Sequence, residues 1–166
     1  YQGYEIHMGI SGYDANIINE GNVYGTYIHG VFDKEGVARA LVEALLKADL
    51  ILLGPGSFLT SLLPPLLVPE LAHAIRDSQA RFVFLANLAP EPGPVGQLSL
   101  AEQLAWIGRL IGRRVDCVLA AQNVAEQSLP CHRADLAEAN CHWRHDREKV
   151  LRALEQLLMP QPVSTQ

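Results

Sequence analysis

The stretch ADLILLGPGSFLTSLLP, residues 48–64, decides the fold of this chain. Residues 50–54 form a continuous apolar run, which is typical of a parallel strand buried on both faces. A glycine-rich turn follows at 54–57, and the residues after it predict a helical region over 59–78 that prolines break near its start. The stretch therefore predicts a strand, a tight turn and a helix in succession.

Strands and helices continue to alternate after this unit. Apolar runs predict strands at 81–87 and 115–121. Ser99 and Glu102 have the spacing of a capping box, which predicts a helix that begins there and ends near Gly112. This alternation, with right-handed crossovers, predicts an α/β fold: a three-layer Rossmann-like sandwich with a mostly parallel sheet.

The two ends of the chain extend this prediction. Residues 4–9 and 22–28 are rich in aromatic and β-branched residues, and we expect them to form a strand pair added at one side of the sheet. Asp33 is a candidate N-cap for a helix that runs through residue 47. Asp146 caps a final helix, whose core face we predict to consist of Val150, Leu151, Leu154 and Leu158.

Length and composition are those of a globular protein. The chain has 166 residues, of which 49% are hydrophobic and 19% charged. We expect one domain over 1–158 and a flexible tail over 159–166. The net charge of −5 argues against a nucleic-acid partner. We interpret five dispersed arginines as solvated surface, namely Arg76, Arg81, Arg109, Arg113 and Arg114.

Three further features concern the setting of the protein. No apolar run approaches the about 20 residues needed to span a bilayer, so we expect no membrane partner. Three cysteines are too few for a secreted disulfide scaffold, which favours a cytoplasmic location. The chain begins at Tyr1 without a methionine, and we take this as a sign of processing, truncation or engineering.

The glycine-rich turn allows two interpretations. Glycines let a backbone approach a ligand closely, and the amides at a helix start carry partial positive charge, so the turn suits a phosphate or another anion. Ser57, Thr60 and Ser61 would add hydroxyl donors. Alternatively, Gly-Pro-Gly is simply a tight turn and the hydroxyls cap the helix. The residues alone leave both interpretations open.

Residues 48–158 resemble the gluconeogenesis-factor family, relatives of 2-phospho-L-lactate transferase. The likeness continues from the opening stretch through GRRVDCVLAAQNV (112–124) and CHWRHDREKVLRALEQLL (141–158). It implies a Rossmann-like domain that binds a nucleotide or nucleotide-sugar near the strand ends. The positions that would inherit ligand contacts are Gly54, Gly56, Ser57, Thr60, Ser61 and Asn87. The family's glycine-rich first turn and its Asp-Asn-Gly-Gly segment do not occur in these residues, which implies half a binding cleft.

The first segment has a different resemblance. YEIHMG (4–9) and VYGTYIHGVFD (23–33) resemble the C-terminal end of cobyric acid synthase, a class I glutamine amidotransferase. In that family a histidine after a Gly-Thr-Tyr strand activates a cysteine nucleophile, and His29 matches that histidine. No cysteine of this chain sits in a glycine-flanked elbow, so we expect no glutaminase activity.

The sequence offers two other arrangements of reactive side chains. A triad of Ser57, His29 and an aspartate is disfavoured, because GPGSF is not the G-x-S-x-G elbow. The second is a zinc site made from two Cys-His pairs and a nearby histidine, namely Cys131, His132, Cys141, His142 and His145. Their spacing matches no familiar zinc template. We therefore expect no metal and no cofactor.

We interpret the chain as an α/β chimera joined near Lys47–Ala48, recombined or engineered from an amidotransferase-like fragment (1–47) and a gluconeogenesis-factor-like fragment (48–158). On this interpretation no active site is intact and no catalysis is expected. One alternative is a residual phosphate- or nucleotide-binding module that uses the 54–61 loop. Another is an amidotransferase remnant of cobalamin biosynthesis. A homodimer through exposed apolar surface or an edge strand is a further hypothesis.

Overall fold

A computed structural model of the protein describes residues 35–124 and 130–158, together with short strands between residues 4 and 29. The strands and helices in chain order are β1 (Tyr4–Glu5), β2 (Ile17–Glu20), β3 (Val23–Thr26), β4 (Ile28–His29), α1 (Glu35–Lys47), β5 (Leu50–Leu53), α2 (Leu63–Leu66), α3 (Pro69–Asp77), β6 (Arg81–Leu85), α4 (Leu100–Ile111), β7 (Cys117–Ala121), β8 (Cys131–Ala134), β9 (Ala137–Glu138), β10 (Cys141–His145) and α5 (Arg147–Leu158). A π-helical turn at Phe58–Leu62 precedes α2, and a 3-10 turn lies at Pro94–Gln97.

The chain divides into two compact units, Tyr1–Glu43 and Ala44–Gln166. In the first unit, β2 and β3 form an antiparallel pair, and β1 pairs antiparallel with β4. Each of these two pairs is a two-stranded sheet of its own as far as the described residues go. The addition of a strand pair at one side of the parallel sheet stays a prediction. The predicted flexible tail lies outside the described residues.

The second unit is built on a four-stranded parallel sheet with the order β5-β6-β7-β8. This confirms the predicted α/β class with a mostly parallel sheet. The fourth strand, β8, was missed by the sequence prediction. Its sequence, CHRA, alternates small or sulfur-containing residues with charged or polar ones, and all four residues are only half-buried. An edge strand of this kind lacks the apolar run that marked the other three.

Helices cover both faces of this sheet, which confirms the three-layer arrangement. Neighbouring residues of the central strand β6 alternate between the layers: Phe82 and Phe84 face α2, α3 and α4, whereas Val83 and Leu85 face α5. All four side chains are almost completely buried. The alternation follows from the period of two residues in a strand, and it makes the sheet the centre of two hydrophobic cores.

The ends of the helices mostly follow the predicted capping. Ser99 Oγ accepts the Glu102 N–H at the start of α4, and the Glu102 carboxylate accepts the Ser99 N–H in return. Gly112 ends α4 in the left-handed conformation, with a φ of 76°. Asp146 Oδ1 accepts the Lys149 N–H at the start of α5. The capping prediction is confirmed at all three sites.

The predicted core face of α5 is partly wrong. Leu151 and Leu158 are about half exposed, while Ala153 and Leu157 are buried against the sheet. Val150 and Leu154 pack partly against the same core, as expected. The apolar residues of α5 occupy more than one face, so helical spacing alone does not decide which of them points inward.

Two arginines assigned to the solvated surface instead have structural roles. The guanidinium of Arg81 donates a hydrogen bond to the carbonyl oxygen of Leu157. The guanidinium of Arg113 donates hydrogen bonds to the carbonyl oxygens of Ile75, Ser78 and Ala80, and to the Asp116 carboxylate. Arg113 therefore ties the end of α3 to the segment that precedes β7.

Within the described residues, no single helix has both the length and the apolar character needed to cross a membrane. Two helical segments, Phe58–Leu66 and Pro69–Asp77, are together long and apolar enough by length and composition alone. They are bent by 77° relative to each other.

Candidate functional site

The loop after β5 and the loop after β6 meet at the carboxyl edge of the sheet. In open α/β sheets, ligands bind outside this edge. The side chain of Asn87 brackets the glycine loop: its Oδ1 accepts the Gly56 N–H at 3.2 Å, and its Nδ2 donates to the Gly56 carbonyl oxygen at 2.9 Å. Two of the predicted site residues, 31 positions apart in the chain, are thus in direct contact.

The conformation of the loop requires glycine at position 54. Gly54 has a φ of +97°, which side-chain-bearing residues rarely adopt. A Cβ built there would lie 2.7 Å from the carbonyl oxygen of Leu85. Gly56 is less constrained, since its Cβ would lie 3.1 Å from Cβ of Ser61. The close approach of β5 and β6 at their ends explains the first glycine of the loop.

The loop also presents three hydroxyl groups. Ser57 precedes the π-helical turn, but its side chain does not cap that turn. Thr60 and Ser61 lie within the turn and are exposed. None of the hydrogen bonds between described residues uses these three hydroxyls. The structure thus does not support the interpretation of Ser57 as a helix cap.

Glu91 belongs to this site but was not anticipated from the sequence. Its Oε1 accepts the backbone N–H of Phe58 at 2.8 Å and lies 3.4 Å from Asn87 Nδ2. One of the amides expected to face a ligand is therefore occupied by the protein's own carboxylate. Glu91 lies in a loop rich in proline and glycine, and no local pattern marks it.

The loop that carries Glu91 is itself closely packed. A Cβ built on Gly96 would lie 1.9 Å from the carbonyl oxygen of Glu91. This distance is far below any normal contact, so the loop can fold back on itself only with glycine at this position. Gly96 thereby sets where the Glu91 backbone lies.

A cleft of about 370 Å³ opens beside the glycine loop, at the carboxyl ends of β6 and β7. Its polar lining includes the side chains of Asn87, Glu91, Gln103 and Asn123. A larger cleft of about 700 Å³ runs along α4 and contains Arg109 and Arg114. The smaller cleft is lined by Asn87 and Glu91, which hydrogen-bond to the backbone of Gly56 and Phe58, whereas neither residue lines the larger cleft. The smaller cleft is therefore the candidate ligand cleft.

The residues considered for amidotransferase, hydrolase or zinc chemistry do not come together in a site among the described residues. His29 lies in β4, where its backbone pairs with Tyr4, and its side chain is not among those described. None of the three cysteines forms a disulfide bond; Cys117 is buried, while Cys131 and Cys141 are half-buried. Across residues 35–124 and 130–158, no three His, Cys, Asp or Glu side chains come together in a way that could hold a metal ion.

His145, weighed above only as a zinc ligand, lies at the same edge of the sheet. Its Nε2 is buried and has no hydrogen-bond partner among the described residues. Burial lowers the pKa of His145, and a hydrogen bond to the backbone of Ala86 partly offsets this effect. The lowered pKa favours the neutral form of the imidazole.

Comparison with known proteins identifies the family of the chain. The family model for 2-phospho-L-lactate transferase CofD matches residues 10–162. The chain belongs to this family. It is 48% identical to a putative gluconeogenesis factor of Vibrio cholerae over 122 residues, covering 71% of this chain and 41% of that protein. A putative gluconeogenesis factor of Pasteurella multocida is 39% identical over 122 residues, covering 70% and 40%.

A crystal structure of a Bacillus halodurans protein is also similar to this CofD-family chain. The two are 37% identical and superpose with a TM-score of 0.48, over 54% of this chain and 29% of that one. The chain spans about two-fifths of the length of the curated relatives named above.

The family match overturns the interpretation of a chimera. It begins at residue 10 and runs without a break across Lys47–Ala48, where we placed the seam. The comparisons lend no support to an amidotransferase origin for residues 1–47, and they indicate a natural family rather than an engineered fusion. Structurally, the supposed seam is an ordinary connection from α1 to β5. The expectation of no catalysis depended on the chimera, and the matched family is named for a transferase.

Proposed function

We propose that this CofD-family chain supplies the phosphate-binding edge of a transferase site whose ligand is a phosphorylated nucleotide. The observation that carries the proposal is the cluster of Ser57, Thr60 and Ser61. Their hydroxyls project from one turn at the carboxyl edge of the sheet and are not used in bonds between described residues. Hydroxyl donors in this position suit the oxygens of a phosphate group.

Glu91 limits where the phosphate can bind. Its carboxylate already accepts the Phe58 N–H, and a second anion at that amide would meet like charge at short range. The phosphate therefore belongs on the side of the three hydroxyls. This leaves the 370 Å³ cleft for the uncharged part of the ligand.

The polar lining of the cleft fits a sugar or a nucleobase. Glu91 accepts hydrogen bonds, while the amides of Asn123 and Gln103 both donate and accept them. Ribose hydroxyls and base edges present both kinds of group. In a phosphoryl-group transfer, this chain's role would be to bind and orient the phosphate, because such reactions depend mainly on positioning and charge stabilisation.

Calorimetric titration with GDP, UDP and ADP, beside the free nucleosides and inorganic phosphate, tests the proposal. We expect at least one diphosphate to bind, and its nucleoside to bind at least about tenfold more weakly, since the phosphate contacts are lost. Ser57→Ala and Ser61→Ala should each weaken binding of the diphosphate several-fold. Ser99→Ala is the matched control, because it removes a hydroxyl that caps α4.

Equal affinity for the diphosphate and the nucleoside would contradict the proposal. So would the absence of binding by all three diphosphates at millimolar concentration. Loss of affinity in Ser99→Ala equal to that in the loop variants would show that the effect comes from general destabilisation.

A further inference from the structure

The carboxylate of Glu91 is attached to the glycine loop through one of its two oxygens. Glu91 Oε1 accepts the Phe58 N–H at 2.8 Å and lies 3.4 Å from Asn87 Nδ2. In the described part of the chain, no hydrogen bond to Oε2 is observed. Since an ionised carboxylate accepts hydrogen bonds through both oxygens, Oε2 keeps its accepting capacity for another donor.

The position of this carboxylate is fixed at both ends of the residue. At the side chain, Oε1 is held by the amide of Phe58, a residue that is 1% exposed and begins the π-helical turn. At the backbone, the close approach of Gly96 to the Glu91 carbonyl oxygen holds the loop in a tight fold. A polar group that is already ordered loses little conformational freedom when a ligand binds, and this favours selective recognition.

The carboxylate also determines the charge of the 370 Å³ cleft. Glu91 is charged, and the cleft has no arginine, lysine or histidine among the described residues that line it. An anionic group of a ligand would therefore be repelled there. An N–H or O–H group would instead form a charge-assisted hydrogen bond with the carboxylate.

Gln103, a second residue of the cleft lining, contributes the same polarity. Its Nε2 donates to the carbonyl oxygen of Leu98 at 3.2 Å. This bond uses one donor of the amide and leaves the amide oxygen as an acceptor for a ligand. The cleft therefore offers acceptors from two side chains and favours a ligand that brings donors.

We propose that Glu91 is a specificity-determining residue of the candidate cleft. Oε1 anchors the carboxylate to the Phe58 amide, and Oε2 accepts a hydrogen bond from an N–H or O–H group in the uncharged part of the ligand. In a phosphorylated nucleotide, that donor is a ribose hydroxyl or an N–H group of the base. The inference rests on the proposed function for the class of ligand, and it adds the residue that selects among such ligands by their donors.

The replacement Glu91→Gln tests the proposal because it reverses the polarity of one atom. The Phe58 N–H still requires an acceptor, so the amide oxygen takes the place of Oε1 and the NH2 group takes the place of Oε2. In calorimetric titrations with GDP, UDP and ADP, Glu91→Gln should bind the diphosphate at least about tenfold more weakly than the wild-type protein, the effect of losing a charge-assisted hydrogen bond. Glu102→Gln is the matched control, because Glu102 also accepts a backbone N–H, that of Ser99 at 2.8 Å, but does not line the cleft.

Analogues of the nucleotide identify the donor. The diphosphate that binds is compared with forms that lack the 2′ hydroxyl, the 3′ hydroxyl or one N–H of the base. The wild-type protein and Glu91→Gln should bind one of these analogues with nearly equal affinity, because the hydrogen bond to Oε2 is then absent in both. If every analogue retains the tenfold difference, Glu91 does not act through a donor of the ligand and the proposal is overturned.

Amide hydrogen exchange without ligand separates recognition from the stability of the loop. The Phe58 N–H should keep its protection in Glu91→Gln, which retains the acceptor, and should lose protection about tenfold in Glu91→Ala. A loss in Glu91→Gln as large as that in Glu91→Ala would overturn the proposal, since weaker binding would then follow from a displaced loop.

The titrations also distinguish failure of this inference from failure of the proposed function. If Glu91→Gln binds the diphosphate as tightly as the wild-type protein while Ser57→Ala binds it more weakly, the role of Glu91 is refuted and the proposed function stands. If the nucleoside binds as tightly as the diphosphate and Glu91→Gln weakens both about tenfold, the proposed function is refuted and the role of Glu91 stands. If neither binds at millimolar concentration, both are refuted.

Discussion

Replacing Asn87 by alanine is the sharpest test of how the glycine loop is held. The change removes the hydrogen bonds of 2.9 and 3.2 Å to the two backbone groups of Gly56. Because both hydrogen bonds are solvent-exposed, the contribution of each to the free energy of unfolding should lie near the lower end of the usual range. Together they should contribute about 1–2 kcal/mol. For a chain of this size, the melting temperature should fall by about 2–8 °C.

The replacement Asn87→Asp distinguishes the contribution of the Asn87 donor from that of the Asn87 acceptor. Asn87→Asp keeps an oxygen for the Gly56 N–H but loses the donor to the Gly56 carbonyl. It also places a second carboxylate near Glu91 Oε1, which lies 3.4 Å from Nδ2 in the wild-type protein. We expect Asn87→Asp to be less stable than Asn87→Ala at pH 7.

Urea unfolding monitored by circular dichroism measures these differences. Gln122→Ala is the control, because Gln122 is an exposed amide in the loop after β7. The reasoning is refuted if Asn87→Ala and Gln122→Ala differ by less than about 0.3 kcal/mol, which is below the effect of one hydrogen bond. It is also refuted if Asn87→Asp is as stable as the wild-type protein at pH 7.

Two further predictions concern the same edge of the sheet. Gly54→Ala should lower the free energy of unfolding by about 1–3 kcal/mol, because residue 54 has a positive φ and lies close to the Leu85 carbonyl oxygen. A urea titration measures this change, and an unfolding midpoint equal to that of the wild-type protein would contradict the prediction. The lowered pKa of His145 means that the unfolded chain takes up the proton first as the pH falls below the ordinary value of 6.5. Stability should therefore decrease from pH 7.5 to pH 5.5, and it should decrease less in His145→Leu; equal slopes would show that this residue does not contribute.

Local rules were sufficient for much of the fold. The apolar runs at β5, β6 and β7 predicted three neighbouring strands of the parallel sheet, since such strands are buried on both faces. The capping residues of α4 act within three residues of each other, and so their pattern is readable from the sequence. By contrast, β8 is half-buried at the edge of the sheet, and the partly exposed apolar residues of α5 obscured its buried face.

The interpretation of a chimera shows the limit of matching short motifs. Two phrases of the first 33 residues resembled another family, yet the family match extends from residue 10 to residue 162. A helix followed at once by a strand is the common connection of α/β proteins. A clean boundary between α1 and β5 therefore carried no information about a join.

The sequence by itself determined the α/β class, three of the four parallel strands, the capped helix ends and the place of the glycine loop after a buried strand. These features depend on residues close together in the chain. Only the tertiary structure decided how the site is assembled: Asn87 holds Gly56 across 31 positions, and Glu91 accepts the Phe58 amide across 33. Such partners meet because β5 and β6 lie side by side and end at the same edge, and no local pattern of residues encodes that adjacency.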